Sequence, residues 1–298
     1  MCIRDRYFFE QEPYKSQKNN FNIYGVFKPS QESGTDLPGA DIFVNTILNT
    51  TFWSLGSERY LMTEDNLTMH NLAAFVPYDA IYIQVNHPRY GGGGIYNQYC
   101  TYTTDNQFAK YLFTHEFGHS FTGLADEYYT SDVAYNDFFK PTVEPVEPNI
   151  TALFDPQNVK WKKYLSAGIE MPTPWEKKVF DEFSYEWLKE RNRLNSYVAE
   201  LKKNRAPENE IKTAEEEYAA KDKKQSEKVD KYLMSSKYWN KVGVFEGGGY
   251  QPKGIYRPMI DCIMFSKGEK PFCKVCEEAI KEVINLSLIH ISEPTRPY

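Results

Sequence analysis

No apolar run in this chain approaches the roughly 20 residues that a bilayer-spanning helix needs, which excludes a transmembrane segment in the sequence as given. Positive charge is in deficit: 35 Lys and Arg against 41 Asp and Glu leave a formal net charge of −6. That balance argues against nucleic acid as the main partner. Cysteine is scarce, at five residues. Cys273-Lys274-Val275-Cys276 has redox or zinc spacing, yet no second CxxC completes a four-thiolate site. Gly247-Gly248-Gly249 lacks the lysine spacing of a phosphate-binding loop and reads as a loop able to border an active site. What the chain has in quantity is aromatic side chains, 16% of residues with 23 tyrosines, within 41% hydrophobic content. At 298 residues it can bury a substantial core, as one large domain or a domain plus insert.

Histidine numbers only five as well, and two of them fall in His115-Glu116-Phe117-Gly118-His119. Residues four apart on a helix lie one turn above each other on the same face. His115 and His119 can therefore offer two imidazole nitrogens to one Zn²⁺, with Glu116 beside them to take a proton from an attacking water. This is zinc-hydrolase chemistry. Upstream, Phe108, Leu112 and Phe113 recur at helical spacing and give the segment a buried face. Downstream, Gly123 can end the helix in a left-handed conformation and turn the chain back toward the metal. Asp126 lies three residues later, the offset from glycine to third ligand in the metzincin pattern H-E-x-x-H-x-x-G-x-x-H. The chain departs from that pattern twice: an extra residue precedes the glycine, and a carboxylate replaces the third histidine. Aspartate is an acceptable zinc ligand, and the adjacent Glu127 is the alternative. The expected metal ligands are thus His115, His119 and Asp126, with Glu116 as catalytic base.

A second feature agrees with the first. Metzincins place a methionine turn as an apolar floor beneath the zinc ligands. Met264, in Asp261-Cys262-Ile263-Met264-Phe265, is the candidate here, with Met259 in reserve. Tyr256 and Arg257 precede that turn, and a tyrosine or arginine near the metal can hydrogen-bond the oxyanion of a tetrahedral intermediate. Tyr256 is the expected residue for that role. His70 and His87 read as surface or loop histidines.

The strings Tyr90-Gly91-Gly92-Gly93-Gly94-Ile95-Tyr96-Asn97, His115-Glu116-Phe117-Gly118-His119-Ser120-Phe121 and Gly123-Leu124-Ala125-Asp126-Glu127-Tyr128-Tyr129 resemble the IgA-peptidase family of bacterial metallopeptidases. So do Gly254-Ile255-Tyr256-Arg257-Pro258 and Asp261-Cys262-Ile263-Met264-Phe265-Ser266-Lys267-Gly268, and the similarity runs from about residue 7 to about residue 286. The resemblance implies a zinc endopeptidase with a protein or peptide substrate, secreted or held at the cell surface or in the periplasm. Family members commonly carry a β-sandwich domain ahead of the catalytic one, which this chain lacks. The family is named for members that cut immunoglobulin A, a specificity the name does not transfer.

Along the chain, Phe21-Asn22-Ile23-Tyr24-Gly25-Val26-Phe27 and Ala80-Ile81-Tyr82-Ile83-Gln84-Val85 read as strands by alternation, with a short helix expected over 66–75. The glycines of 91–94 lead into a strand candidate at 95–103, and the active helix is expected over about 106–122. In metzincins an edge strand above the zinc adds the substrate as a further strand, and glycines let a partner backbone come close. Gly91, Gly92, Gly93, Gly94, Ile95 and Tyr96 are therefore the expected substrate-binding rim. A proline-rich passage follows, which Trp161 and Trp175 are expected to pin to the body. From 175 to about 238 the composition turns charged and helix-favouring, broken at Ala206-Pro207, which reads as two antiparallel helices. Phe183, Trp187, Leu194, Val198 and Leu201 would face Ile211, Tyr218, Val229, Tyr232 and Leu233.

The expected fold is α/β: a metzincin-like zinc peptidase domain with a mixed twisted sheet, an active-site helix and a methionine turn, carrying an inserted helical hairpin. The expected division is 7–174, with the zinc-binding helix, 175–240, the hairpin, and 241–286, with the methionine turn. Residues 1–6 and 287–298 resemble translated sequencing-adaptor read-through, which sets Cys2 and His290 aside as ligands or disulfide partners. Among the rest, a disulfide from Cys262 to Cys273 or Cys276, or free buried thiols, are both open. The rival functions are a zinc hydrolase of another amide, in cell-wall peptide or glycan, and a non-catalytic module that binds through the hairpin.

Overall fold

Alternating apolar and polar residues at Ile81-Tyr82-Ile83-Gln84-Val85 form a strand against which the rest of a small sheet is built. The computed structural model describes residues 3–131 and 138–292. Of the expected non-native ends, 1, 2 and 293–298 lie outside these. In chain order the elements are α1 (Ile3–Phe8), α2 (Asn66–Ala73), β1 (Ile81–Val85), β2 (Gly92–Ile95), β3 (Tyr99–Thr103) and α3 (Ala109–Thr122). The remainder are α4 (Lys177–Lys203), α5 (Glu208–Met234), β4 (Val242–Gly248), β5 (Gln251–Met259) and α6 (Lys274–Ser292). No helix among the described residues is long and apolar enough to cross a membrane.

The first sheet has the order β1-β3-β2, with β1 parallel and β2 antiparallel to the central β3. All five residues of β3 are buried because both faces are covered. Cys100 and Tyr102 join the main core around α3, while Tyr99 joins a second apolar cluster with Leu37, Phe52, Leu61 and Met69. The second sheet pairs β4 with β5 antiparallel. The expected strand at 95–103 is thus a hairpin: β2 already begins within the glycine run, and Asn97, at φ 56°, makes its turn. The expected strand at 21–27 does not form. Its residues adopt no regular element and have no ladder partner among the described residues, and Phe27 is 91% exposed. Alternation alone cannot supply the second strand that a ladder needs.

Helix α3 is buried almost all round, and its two sides do different work. Phe113, Phe117 and Phe121 recur at i, i+4 spacing: Phe117 stacks on Phe121, Tyr82 stacks on Phe113 and Phe117, Phe8 meets Phe113 and Phe117 edge-on, and Tyr14 meets Phe117 edge-on. The opposite side carries the histidines. The strand β2 lies directly on the helix, so close that a Cβ on Gly94 would come 2.5 Å from the Glu116 carbonyl oxygen and 2.7 Å from the His119 Cβ.

Helices α4 and α5 form the expected pair. The contacts Phe183–Tyr232, Glu190–Lys221 and Lys202–Glu215 run in opposite senses along the two, which makes them antiparallel. This hairpin is not a free arm. Asp222, buried on α5, accepts two hydrogen bonds from Lys267 at 2.9 and 3.0 Å. Asn195 donates to Glu58, Gln107 donates to the Ala219 carbonyl, and the Phe180 ring packs on Phe265. Trp161 and Trp175 pin the proline-rich passage by donating to the Gly243 and Glu246 carbonyls at 2.8 and 3.1 Å.

Gly94→Ala forces a methyl against helix backbone that cannot yield. It should destabilise the fold by about 1–3 kcal/mol, seen as a lowered Tm with an unchanged far-UV spectrum at 25 °C. An unaltered melting curve would mean that β2 and α3 are not held this tightly.

Candidate metal centre

The carboxyl end of α3 stops where the sequence says it should. Gly123 adopts the left-handed conformation at φ 68° and its N–H donates to the His119 carbonyl at 3.0 Å, while Leu124 N–H donates to the Gly118 carbonyl at 3.2 Å. Beyond it, residues 124–128 run extended and are tied on both edges. The Asn149 side chain bonds both polar groups of the Ala125 backbone at 2.8 and 2.9 Å. The Glu127 N–H donates to the Met264 carbonyl at 2.8 Å, and Gly249 and Tyr250 N–H donate to the Asp126 and Tyr128 carbonyls, each at 2.9 Å.

An extended segment turns successive side chains to opposite sides, and here that separates the two candidate carboxylates. Asp126 faces the histidines, its Oδ1 lying 3.0 Å from His115 Nε2 and 3.2 Å from His119 Nε2. Glu127 faces away, with Oε1 3.3 Å from Cys276 Sγ. The two imidazole Nε2 atoms are 3.2 Å apart. His115 Nδ1 lies 3.0 Å from the Ile263 carbonyl and His119 Nδ1 2.6 Å from the Leu124 carbonyl. A carbonyl only accepts, so each Nδ1 carries a proton and each Nε2 is the atom turned inward, a lone-pair donor once it holds no second proton. The Glu116 carboxylate lies within 4.8 Å of both imidazole nitrogens.

Three lone-pair donors thus converge on one point, and only a cation or a shared proton satisfies them. Asp126 Oδ1 is buried, and the polar atoms it faces are the two imidazole Nε2 atoms. Burial works against charge on His119, but the Asp126 carboxylate and its hydrogen bond outweigh it and raise the imidazole to about 9. Burial likewise opposes the charge on Asp126, yet His119 and His115 hold that carboxyl well below its usual range. Burial pushes the Glu116 carboxyl up, against the pull of the same two histidines. Tetrahedral zinc with bonds of about 2.0–2.1 Å has ligand–ligand edges of about 3.3 Å, close to the three separations found here. The donor set fits Zn²⁺.

A model of the IgA peptidase M64 family matches residues 5–284. The chain belongs to that family. No curated protein matches it. Membership makes this M64 chain a peptidase with a protein or peptide substrate.

Other expected site residues fall in and out of reach. Met264 is fully buried under α3, where a Cβ on Gly118 would meet its Sδ at 3.2 Å. Met259, by contrast, ends β5 opposite Val242. Tyr256 does not reach the ligands: its backbone exchanges hydrogen bonds with Thr151 at 3.0 and 2.8 Å, and its phenol stands near Glu246. In the alternation of β5, Ile255 and Arg257 take the fully buried side and Tyr256 the other. A tyrosine that does reach the ligands is Tyr250, whose hydroxyl donates to Asp126 Oδ2. Its position follows from the β4–β5 turn lacing onto residues 126–128, and nothing in the sequence marks it out among 23 tyrosines except the glycine run before it. Arg59 was also not foreseen; its guanidinium sits 5.2 Å from the ring centroids of both Tyr60 and Tyr128. His70 and His87 bond Tyr78 and the Arg89 backbone, away from the ligands.

The expected substrate rim needs correction. Gly91, Gly92 and Gly93 are buried, and the outer edge of β2 is already engaged: Leu61 N–H donates to the Gly92 carbonyl at 3.2 Å, and Tyr60 bridges Gly92 in parallel. A substrate strand cannot add along an edge that residues 60–62 occupy. Gly94 and Ile95 are half-buried, and Tyr96 is 64% exposed with its ring against Gly123.

Tyr250→Phe removes the hydroxyl that donates to Asp126 Oδ2 without removing bulk. Partners that orient a metal ligand are commonly worth about 10–100-fold in affinity, so competition with a chelator should show zinc held weaker by that factor, with the fold intact.

Proposed function

We propose that this peptidase is a zinc-dependent endopeptidase in which His115, His119 and Asp126 hold the metal and Glu116 is the general base. The observation that carries the reading is the meeting of His115 Nε2, His119 Nε2 and Asp126 Oδ1 within 3.2 Å of one another, with the Glu116 carboxylate alongside. When bound there, Zn²⁺ supplies Lewis acidity that brings a water's pKa toward ~7 and polarises a carbonyl.

The rest is the work of the chain. Carbonyl acceptors at Ile263 and Leu124 lock both imidazoles in the tautomer that leaves Nε2 free, and Tyr250 orients Asp126. Met264 lies beneath as an apolar floor. Glu116, desolvated and therefore more basic than a surface carboxylate, accepts a proton from the attacking water and returns it to the leaving amine. The peptide reaches this point over the Gly94, Ile95 and Tyr96 end of β2. Immunoglobulin A, from which the family takes its name, is the first defined protein to try, in an enzyme we take to be exported.

Cleavage of casein and immunoglobulin A should be abolished by a zinc chelator and restored by Zn²⁺. Glu116→Gln should keep the metal of this site while turnover falls about 10²–10⁴-fold; His119→Ala should lose both this site's metal and its turnover. Near-normal turnover in Glu116→Gln would sink the mechanism. Zinc-bound protein that leaves both proteins intact would favour a hydrolase of another amide.

A further inference from the structure

Behind the first cluster lies a second that the peptidase mechanism does not use. Glu127, Cys262, Cys273 and Cys276 are all buried, and one donor atom of each lies within 4.8 Å of the others. Cys262 Sγ is 3.9 Å from Cys276 Sγ, and Glu127 Oε1 is 3.3 Å from Cys276 Sγ and 3.9 Å from Cys273 Sγ. The cysteines are free in the structure.

We propose that these residues form a second, structural zinc site, with three thiolates and one carboxylate as ligands. A tetrahedral Zn²⁺ with sulfur bonds of about 2.3 Å and an oxygen bond of about 2.0 Å has sulfur–sulfur edges of about 3.8 Å and sulfur–oxygen edges of about 3.5 Å. The two sulfur–oxygen separations, 3.3 and 3.9 Å, bracket their edge, and the Cys262–Cys276 separation of 3.9 Å lies close to the sulfur–sulfur one. Backbone amides already treat the sulfurs as acceptors: Met264 and Cys273 N–H donate to Cys262 Sγ at 3.5 and 3.2 Å, and Cys276 N–H donates to Cys273 Sγ at 3.4 Å. Cys273 immediately precedes α6 and Cys276 lies in its first turn, so one stretch of chain presents both sulfurs.

The Glu127 carboxylate, an acceptor only when ionised, suits a cation as well. It is 0% exposed; Oε1 accepts from Asn149 at 3.1 Å, while Oε2 is buried without a partner. A disulfide would join two of the three sulfurs, leave the third idle and do nothing for the carboxylate. Coordination uses all four groups, with each ligating thiol releasing its proton to solvent. The sulfur-rich set selects zinc over magnesium or calcium, and four protein ligands close the site to substrate. Its role follows from what it ties together: residues 126–128 on one side, the Met264 turn and the start of α6 on the other.

Metal content of the purified chain, with thiolate-to-metal charge-transfer absorption after cobalt substitution, tests this. Two zinc ions per wild-type chain, one in His119→Ala, and an intense near-ultraviolet cobalt band in both are the expected results. The wild-type cobalt spectrum needs no variant to fold. Cys276→Ser should lose that band. One zinc in the wild type, none in His119→Ala and no thiolate band would overturn the site, as would a wild-type mass lowered by two hydrogens from a disulfide. One zinc in each protein with the thiolate band present would sustain this site and remove the catalytic one, so the two readings fail separately.

Discussion

The extended stretch from Leu124 to Tyr128 is the constraint on which the functional centre depends. It is edge-bonded on one side by the β4–β5 turn through Gly249 and Tyr250, and on the other by the Met264 carbonyl, with Asn149 bracing its start. A chain so held has only one way to alternate its side chains. Asp126 and Tyr128 turn toward the imidazoles, the Tyr128 ring lying 14° from the plane of His115. Glu127 turns toward the cysteines. A one-residue slip would exchange two carboxylates of similar chemistry between two quite different surroundings. The left-handed Gly123 is what starts the segment in the right phase.

Packing behind the site explains why the polar groups can be buried at all. His115, Glu116, Asp126 and Glu127 are each under 9% exposed, and an isolated charge there costs several kcal/mol. Aromatic stacking on the Phe113–Phe117–Phe121 side of α3 and the glycine-thin strand β2 hold the helix so that these groups have no alternative position. Where metal is bound, its binding free energy is also folding free energy. The peptidase body and its metal chemistry are then one stability problem.

The α4–α5 pair belongs to that body more than its composition suggests. Its exposed faces carry ordinary i, i+3 and i, i+4 ion pairs, worth little each. The buried Asp222–Lys267 contact and the Phe180–Phe265 packing are different: they join the hairpin to the loop that follows Met264. Breaking one partner of such a buried pair is costly, so the hairpin and the floor of the site are mechanically linked.

Spacing over a few neighbouring residues was enough to encode the helix with its His115, Glu116 and His119 triad, the Gly123 stop, a strand at 80–85 that forms over 81–85, and the two-helix pair. The sequence also carried the family, through long local strings. Spacing from Gly123 favoured Asp126 but left Glu127 as the alternative: adjacent carboxylates look alike until something fixes the phase of the backbone. Tyr250, Arg59 and the meeting of Glu127 with three cysteines depend on contacts between residues far apart in the chain, which no local pattern records. The segment at 21–27 erred in the other direction, since alternation marks a capacity to pair and the partner is chosen by the whole fold. Local periodicity decided which elements form; only the tertiary structure decided which side chains share a site, because that is set by hydrogen-bond register and packing across distant segments.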